Sequence, residues 1–195
     1  MKMNGYKILL GSGSPRRKEL LAMLDIEFEP IRLNDVDETW PKDLPAEMVP
    51  EYLSKLKADS YISDLAADEI LLTADTVVIH NGKILGKPAD EAEAFEMLRQ
   101  LSGDIHTVIT GVTISSLHRS HTFSETTKVR FAMLSDDEIR YYVGHYKPLD
   151  KAGAYGIQEW IGLTAVEGID GCYYNVMGLP TRRLYAELKR FISSN

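Results

Sequence analysis

The residues best suited to chemistry near the start of the chain form a short polar turn, SGSPRR, over residues 12–17. If a helix begins here, its first backbone N–H groups lack helical partners and carry a partial positive charge, which suits a phosphate. Ser12 and Ser14 can donate hydroxyl hydrogen bonds, and Arg16 and Arg17 offer forked donors to phosphate oxygens. The alternative is that Ser14 only caps the helix, with a proline in its first turn and solvated arginines behind it.

A carboxylate inside an apolar strand is the second candidate. Asp75 lies in the run ILLTADTVVI of residues 70–79. An unpaired carboxylate there would be costly in a dry interior, so Asp75 needs a pocket, a cation or a strand irregularity. At a strand end beside a phosphate site it could ligate a divalent metal or activate a water, with Glu38 of an acidic loop as a second oxygen ligand. The alternatives are a structural salt bridge for Asp75 and a solvated position for Glu38.

Two lysines and one glutamine complete the candidates. Lys57 lies in a predicted helix and Lys87 precedes a proline, and each could either reach a phosphate or remain solvated. Gln158 ends the glycine-containing stretch 150–158, and its amide offers a donor and an acceptor together. That pair matches the imide N–H and carbonyl of uracil or thymine. A solvated glutamine in a surface loop is the alternative.

The segments that must position these residues alternate between strand and helix patterns. Apolar runs predict strands at residues 6–10, 26–33, 70–80, 83–86, 105–117 and 122–133. Apolar residues at three- and four-residue steps, together with capping signals, predict helices at residues 16–24, from 48 or 50 to about 66, at 90–101 and 180–192, and another beginning at 135. We therefore predict an α/β fold, with a mixed, twisted β-sheet and flanking helices, as one domain over residues 1–195.

Three further segments carry specific expectations. Pro30 predicts that the strand at 26–33 lies at a sheet edge. Residues 34–47, rich in acid and proline, predict a long loop, and Asn81 with Gly82 predicts a two-residue hairpin turn. The glycine-rich residues 148–171 predict an irregular segment.

Composition restricts the partners and the compartment. The 195 residues are 44% hydrophobic and 26% charged, which is ordinary for a globular protein. A net charge of −7 disfavours nucleic acid and anionic membrane surfaces as partners. One cysteine excludes an intrachain disulfide, and no apolar run resembles a signal peptide or a membrane span. We expect a cytoplasmic protein.

Taken in order along the chain, these motifs resemble the Maf family of nucleoside triphosphate pyrophosphatases, also called septum-formation inhibitor proteins. The resemblance runs from about residue 8 to the C-terminal helix. Its motifs are SGSPRR at 12–17, VDE at 36–38, KA at 57–58, ADTVV at 74–78, GKP at 86–88, LSG at 101–103 with His106, DKAGAYGIQ at 150–158 and NVMGLP at 175–180.

The resemblance implies an ITPase-like α/β fold of two lobes around a central cleft. It also implies hydrolysis of a nucleoside triphosphate between its α and β phosphates with a divalent cation, Mg2+ or Mn2+. Asp75 matches the family's proposed general base. Three residues match positions linked to substrate specificity, namely Arg16, Thr76 and Gln158. The phosphate- or metal-facing positions are matched by Ser12, Arg17, Glu38, Lys57 and Lys87.

The sequences SGSPRR at 12–17 and AGAYGIQ within 150–158 resemble those of the subfamily that prefers dTTP and UTP. Modified pyrimidine nucleotides are further candidate substrates. One departure follows Gln158, where the chain continues Glu159-Trp160 instead of the small residues of many relatives. The family's older name suggests a different function, a nucleotide-responsive regulator of cell division that acts through a protein partner. The family analogy also allows a homodimer.

Overall fold

A computed structural model describes residue 3 and residues 5–193, and the chain divides into two compact units. The first unit contains the segment that ends at Asp75, then Thr110–Glu125, then the segment that begins at Gly178. The second contains Thr76–Ile109 and Thr126–Met177. Three long strands pass from one unit to the other along the chain.

The described residues form seven strands and seven α-helices. The strands are β1 Lys7–Leu10, β2 Phe28–Pro30, β3 Glu69–His80, β4 Lys83–Leu85, β5 Ile105–Ser115, β6 Ser120–Phe131 and β7 Val166–Asp170. The helices are α1 Pro15–Ala22, α2 Val49–Asp59, α3 Glu91–Leu101, α4 Asp136–Tyr146, α5 Trp160–Thr164, α6 Tyr173–Met177 and α7 Thr181–Ser193.

The strands form one mixed sheet in the order β2-β1-β3-β5-β6-β7, with β4 paired to β3. β1 runs parallel to β2 and to β3, so that Ile8 lies opposite Phe28 on one side and Ile70 on the other. The β3–β4 and β6–β7 pairs are antiparallel. Parallel neighbours need a crossover, which α1 supplies between β1 and β2. The predicted α/β fold with a mixed sheet is confirmed, and Pro30 lies on an edge strand as predicted.

Local signals explain several element boundaries. Asn81 and Gly82 both have positive φ, 49° and 72°, which is the backbone that a two-residue hairpin between β3 and β4 needs. Ser135 begins α4 with a capping box, because its hydroxyl accepts from the Glu138 N–H while the Glu138 carboxylate accepts from Ser135 N–H. Both predictions are confirmed.

Each unit has its own apolar cluster. In the first unit a cluster joins β1, α2 and β3 through Leu9, Ala58 and Leu71. In the second, α3 and α4 pack with β5 and β6 around Leu98, Phe131 and Tyr142. Burial of these apolar side chains is the main favourable contribution to the stability of each unit.

The expectation of an irregular segment over 148–171 is wrong in its second half. Residues 160–164 form α5, and β7 pairs with β6 so that Val129 lies opposite Ile169. The sequence VEGID has a weak strand pattern, and its pairing with β6 decides its conformation. No helix in the described ranges is long and apolar enough to cross a membrane. The central cleft and the single-domain assignment stay predictions.

Candidate active site

The polar turn after β1 leads directly into helix α1 in the first unit. Ser14 is the N-cap of α1, and its hydroxyl accepts a hydrogen bond from the Arg17 N–H at 3.5 Å. The Ser12 hydroxyl in turn accepts from the Ser14 N–H at 3.3 Å. The capping role of Ser14 is therefore confirmed, whereas the solvated arginines of that alternative are wrong for Arg17, whose side chain donates hydrogen bonds within the protein. The cap is compatible with phosphate binding, because one cap satisfies only part of the hydrogen-bonding capacity of a helix N-terminus.

The Arg17 guanidinium ties this turn to two other segments of the first unit. Its Nε donates to the Gly178 carbonyl at 2.8 Å, and its Nη1 donates to the Ala74 carbonyl at 2.9 Å and to the Ser12 hydroxyl at 3.4 Å. Burial lowers the pKa of Arg17, and the Asp75 carboxylate acts in the opposite direction. Arg17 therefore fixes the phosphate-type turn next to the residue that precedes Asp75. Arg16, beside it in α1, is partly buried.

Asp75 lies in the middle of β3, as the apolar run of residues 70–80 predicts. β3 pairs with β1 as far as Leu72 and with β4 only from Val78, so Asp75 falls between the two ladders. This gap arises because β3 continues beyond the end of β1, its parallel neighbour. The carboxylate is nevertheless accessible, with 14% of its side chain exposed.

Lys57 brings the two candidate carboxylates together. Its Nζ lies 2.6 Å from Asp75 Oδ1 and 2.7 Å from Glu38 Oε2. The lysine and Asp75 side chains are each 14% exposed, whereas Glu38 is 55% exposed. The predicted need of Asp75 for a cation is met by Lys57. The salt-bridge interpretation is thus confirmed in geometry, and it places two oxygen-donor side chains around one point.

Helix α2 carries Lys57, and buried hydroxyl groups hold this helix on the sheet. The Thr73 hydroxyl donates to the Ser54 carbonyl at 2.7 Å, and the Ser54 and Thr113 hydroxyls lie 2.9 Å apart. Gly111 of β5 lets the helix come close, since a Cβ there would lie 2.5 Å from the Glu51 nitrogen. These contacts set where Lys57 stands relative to Asp75.

The remaining predicted residues belong to the second unit. Thr76 follows Asp75 in β3 and is partly buried, whereas Lys87 and Gln158 are exposed. The Gly153 N–H donates to the Gly86 carbonyl at 3.0 Å, so the backbone next to Lys87 contacts the stretch that ends in Gln158. The structure therefore assembles the predicted set as two groups, one in each unit.

Glu38 and Asp75 suit a hard divalent cation, because carboxylate oxygens are the ligands that Mg2+ and Mn2+ prefer. Among residues 3 and 5–193, no group of three or more His, Cys, Asp or Glu side chains could hold a metal ion. Two carboxylates alone leave most of an octahedral shell to other ligands. Such a pair fits a cation that shares its shell with water and the phosphates of a substrate.

Sequence reasoning missed the residues that hold the site in shape. Thr73 and Ser54 looked like ordinary small polar residues, and only the register of α2 on β3 brings them together. Tyr142, which contacts the stretch ending in Gln158, was also missed, and Glu159 was noted only as a departure with no role assigned to it. The one available signal was the departure from the family pattern at Glu159.

The family model for Maf-like proteins matches residues 7–191. A dTTP/UTP pyrophosphatase of Porphyromonas gingivalis is 55% identical over 192 residues, covering 97% of this chain and 96% of that protein. A dTTP/UTP pyrophosphatase of Bacteroides fragilis is 52% identical over 188 residues, covering 96% and 97%. Among solved structures, the Ham1 protein of Staphylococcus aureus is 16% identical with a TM-score of 0.53, over 96% of this chain and 98% of that chain. This last likeness concerns the fold.

Proposed function

The chain belongs to the Maf-like protein family, and from that premise we propose that it is a nucleoside triphosphate pyrophosphatase acting on dTTP and UTP. Water adds across the anhydride between the α and β phosphates, giving the nucleoside monophosphate and pyrophosphate. Relatives at 52% and 55% identity over nearly their whole length carry the name dTTP/UTP pyrophosphatase, which supports this substrate class. Modified pyrimidine triphosphates belong to the same proposal.

The observation that carries the proposal is the Lys57 ammonium between the carboxylates of Asp75 and Glu38. A protein that only binds phosphate needs cations more than acids, whereas hydrolysis needs a group that can orient a water and take its proton. Asp75 has the position for this task, because it is partly exposed and Lys57 holds it in place. Arg17 fixes the phosphate-type turn beside it through the Ala74 carbonyl.

The other residues divide between phosphate and base. Arg16 and Arg17 in the first turn of α1 offset the negative charge of the triphosphate, and Ser12 and Ser14 before the helix donate hydroxyl hydrogen bonds to it. Such fixed donors favour the charge that develops during bond cleavage. Lys57 and Lys87 also face phosphate oxygens. Thr76 and Gln158 recognise the base, with the Gln158 amide facing the imide edge of thymine or uracil.

Glu38 and Asp75 would hold the divalent cation, Mg2+ or Mn2+. When bound, the cation would supply positive charge that stabilises the negative charge developing on the phosphates as the P–O bond breaks.

The test is pyrophosphate release from a panel of canonical and modified nucleoside triphosphates, with Mg2+, Mn2+ or chelator. Asp75→Asn should lower turnover roughly 100- to 10,000-fold while the protein stays folded. Asp59→Asn is the matched control, because Asp59 forms a surface ion pair with Lys55 of the same helix. Release that survives Asp75→Asn at a near-normal rate would remove Asp75 from the reaction. If the folded protein releases pyrophosphate from no nucleotide, the regulator of cell division becomes the better hypothesis.

Two further properties belong to the proposal. A cytoplasmic location fits a nucleotide substrate and a chain with one cysteine, and the net charge of −7 argues against nucleic acid as a partner. A homodimer rests on the family analogy, and light scattering of the purified protein would test it.

A further inference from the structure

A buried tyrosine in the second unit joins both sides of the proposed base-recognition residue. Tyr142 of α4 is fully buried, and its hydroxyl accepts a hydrogen bond from the Gly156 N–H at 3.0 Å. The same hydroxyl donates to Glu159 Oε2. Burial raises the pKa of Tyr142, so the phenol keeps the proton that it donates. One phenol therefore contacts the chain two residues before Gln158 and one residue after it.

A lysine contacts the other oxygen of the Glu159 carboxylate. Lys151 is buried, and its Nζ lies 3.2 Å from Glu159 Oε1 and 2.7 Å from Asp150 Oδ1. The Glu159 carboxylate thus receives one partner on each oxygen. A carboxylate held by a phenol and an ammonium in a largely buried position is a well-fixed group, because charge-assisted hydrogen bonds are short and directional.

Close packing of Gly156 against Gln158 and Glu159 links the fixed Glu159 carboxylate to the Gln158 side chain. A Cβ on Gly156 would lie 3.0 Å from Gln158 Nε2 and 2.9 Å from the Glu159 carboxyl carbon. Ile157, between Gly156 and Gln158, is buried, whereas Gln158 itself is exposed. The segment is therefore fixed by its buried neighbours while the amide that would face a base remains accessible.

We infer that Glu159, acting through the Tyr142 hydroxyl and the Gly156 N–H, is a positioning residue that orients Gln158 and so sets the preference for thymine and uracil. This inference rests on the proposed function, in which Gln158 reads the base. Glu159 touches neither the reacting phosphates nor the base in this role. It acts by holding the backbone on both sides of the amide, and its loss should weaken base discrimination without slowing bond cleavage.

Tyr142→Phe is the main test, since it removes one oxygen atom and leaves the aromatic packing in place. The kcat/KM for dTTP should fall about tenfold, through KM, with kcat within about twofold of the original. The preference for dTTP over dCTP should fall by the same factor. Glu159→Ala should do the same, and Glu159→Gln, which keeps an acceptor for Tyr142, should recover most of the preference. Tyr146→Phe is the matched control, because its ring stacks on Tyr142 from the same helix, and it should change none of these values.

Binding of the non-hydrolysable α,β-methylene analogue of dTTP, measured by calorimetry, separates the two proposals. If the original protein binds the analogue but does not hydrolyse dTTP, the proposed function fails, and the positioning role is still judged by a tenfold weaker affinity in Tyr142→Phe. If neither binding nor hydrolysis occurs, both fail. An unchanged preference for dTTP over dCTP in folded Tyr142→Phe and Glu159→Ala overturns the positioning role. So does an equal loss of kcat for every nucleotide, which is the signature of a general structural defect.

Discussion

Replacing Gly111 by alanine tests how the fold places Lys57 beside Asp75. The added Cβ would lie 2.5 Å from the Glu51 nitrogen and closer still to the Pro50 carbonyl group. These are backbone atoms at the start of α2, so no side chain can rotate away, and either the helix or β5 must move. The backbone at Gly111 lies outside the positive-φ region, which leaves steric overlap as the cost.

The expected loss of stability is about 3 kcal/mol, at the upper end for overpacking, after a small gain from reduced flexibility of the unfolded chain. For a chain of this length that corresponds to a Tm about 6–12 °C lower. A helix displaced by about 1 Å would also carry Lys57 away from Asp75, so turnover of the folded fraction should fall roughly 100-fold.

Calorimetry would measure the loss of stability. Pyrophosphate release, at a temperature well below the Tm of both the variant and the original protein, would measure the loss of turnover. Gly144→Ala is the matched control, because a Cβ at this exposed helix position meets nothing within 4 Å. It should leave turnover unchanged and raise stability by up to about 1 kcal/mol. If Gly111→Ala has the Tm and turnover of the original protein, α2 does not pack on β5 as described, and this contact does not set the position of Lys57.

Two further predictions concern individual charged groups. Lys57→Met leaves the two carboxylates without their shared cation and should lower turnover roughly 100-fold, whereas Lys55→Met on the exposed side of the same helix should not. If both variants have the original turnover, the ammonium has no part in the reaction. Burial lowers the pKa of His106 from 6.5 to about 4, so the unfolded chain takes up a proton that the folded chain does not. The free energy of unfolding should therefore fall by up to roughly 3 kcal/mol as the pH drops from about 6.5 to 4. Urea unfolding across this range would measure it, and a slope that persists in His106→Gln would assign it to other groups.

Local chemistry made much of the fold predictable. The Asn81-Gly82 turn and the capping box at Ser135 depend on residues within four positions of each other, and the structure has both. The strand β7 has no such local signature, because a short edge strand forms only when its partner β6 is in place. Turns and caps could therefore be predicted from neighbouring residues. The edge strand β7, which has a weak strand pattern, could not.

In the candidate site, too, the residue types could be predicted from the sequence, whereas their contacts could not. Those residue types pointed to phosphate chemistry, yet the contact of Lys57 with Asp75 joins residues 18 positions apart, and no spacing rule predicts it. Arg17 reaches the Gly178 carbonyl across 161 positions. The gap between the two ladders at Asp75 depends on how far β1 extends beside β3, which is a property of the pairing.

The most direct test of the account is the identity of the products that the purified protein forms from dTTP and Mg2+, followed by phosphorus NMR. We predict dTMP and pyrophosphate in equal amounts, and the loss of both in Asp75→Asn but not in Asp59→Asn. Formation of dTDP and inorganic phosphate, or no reaction by the folded protein, would contradict it.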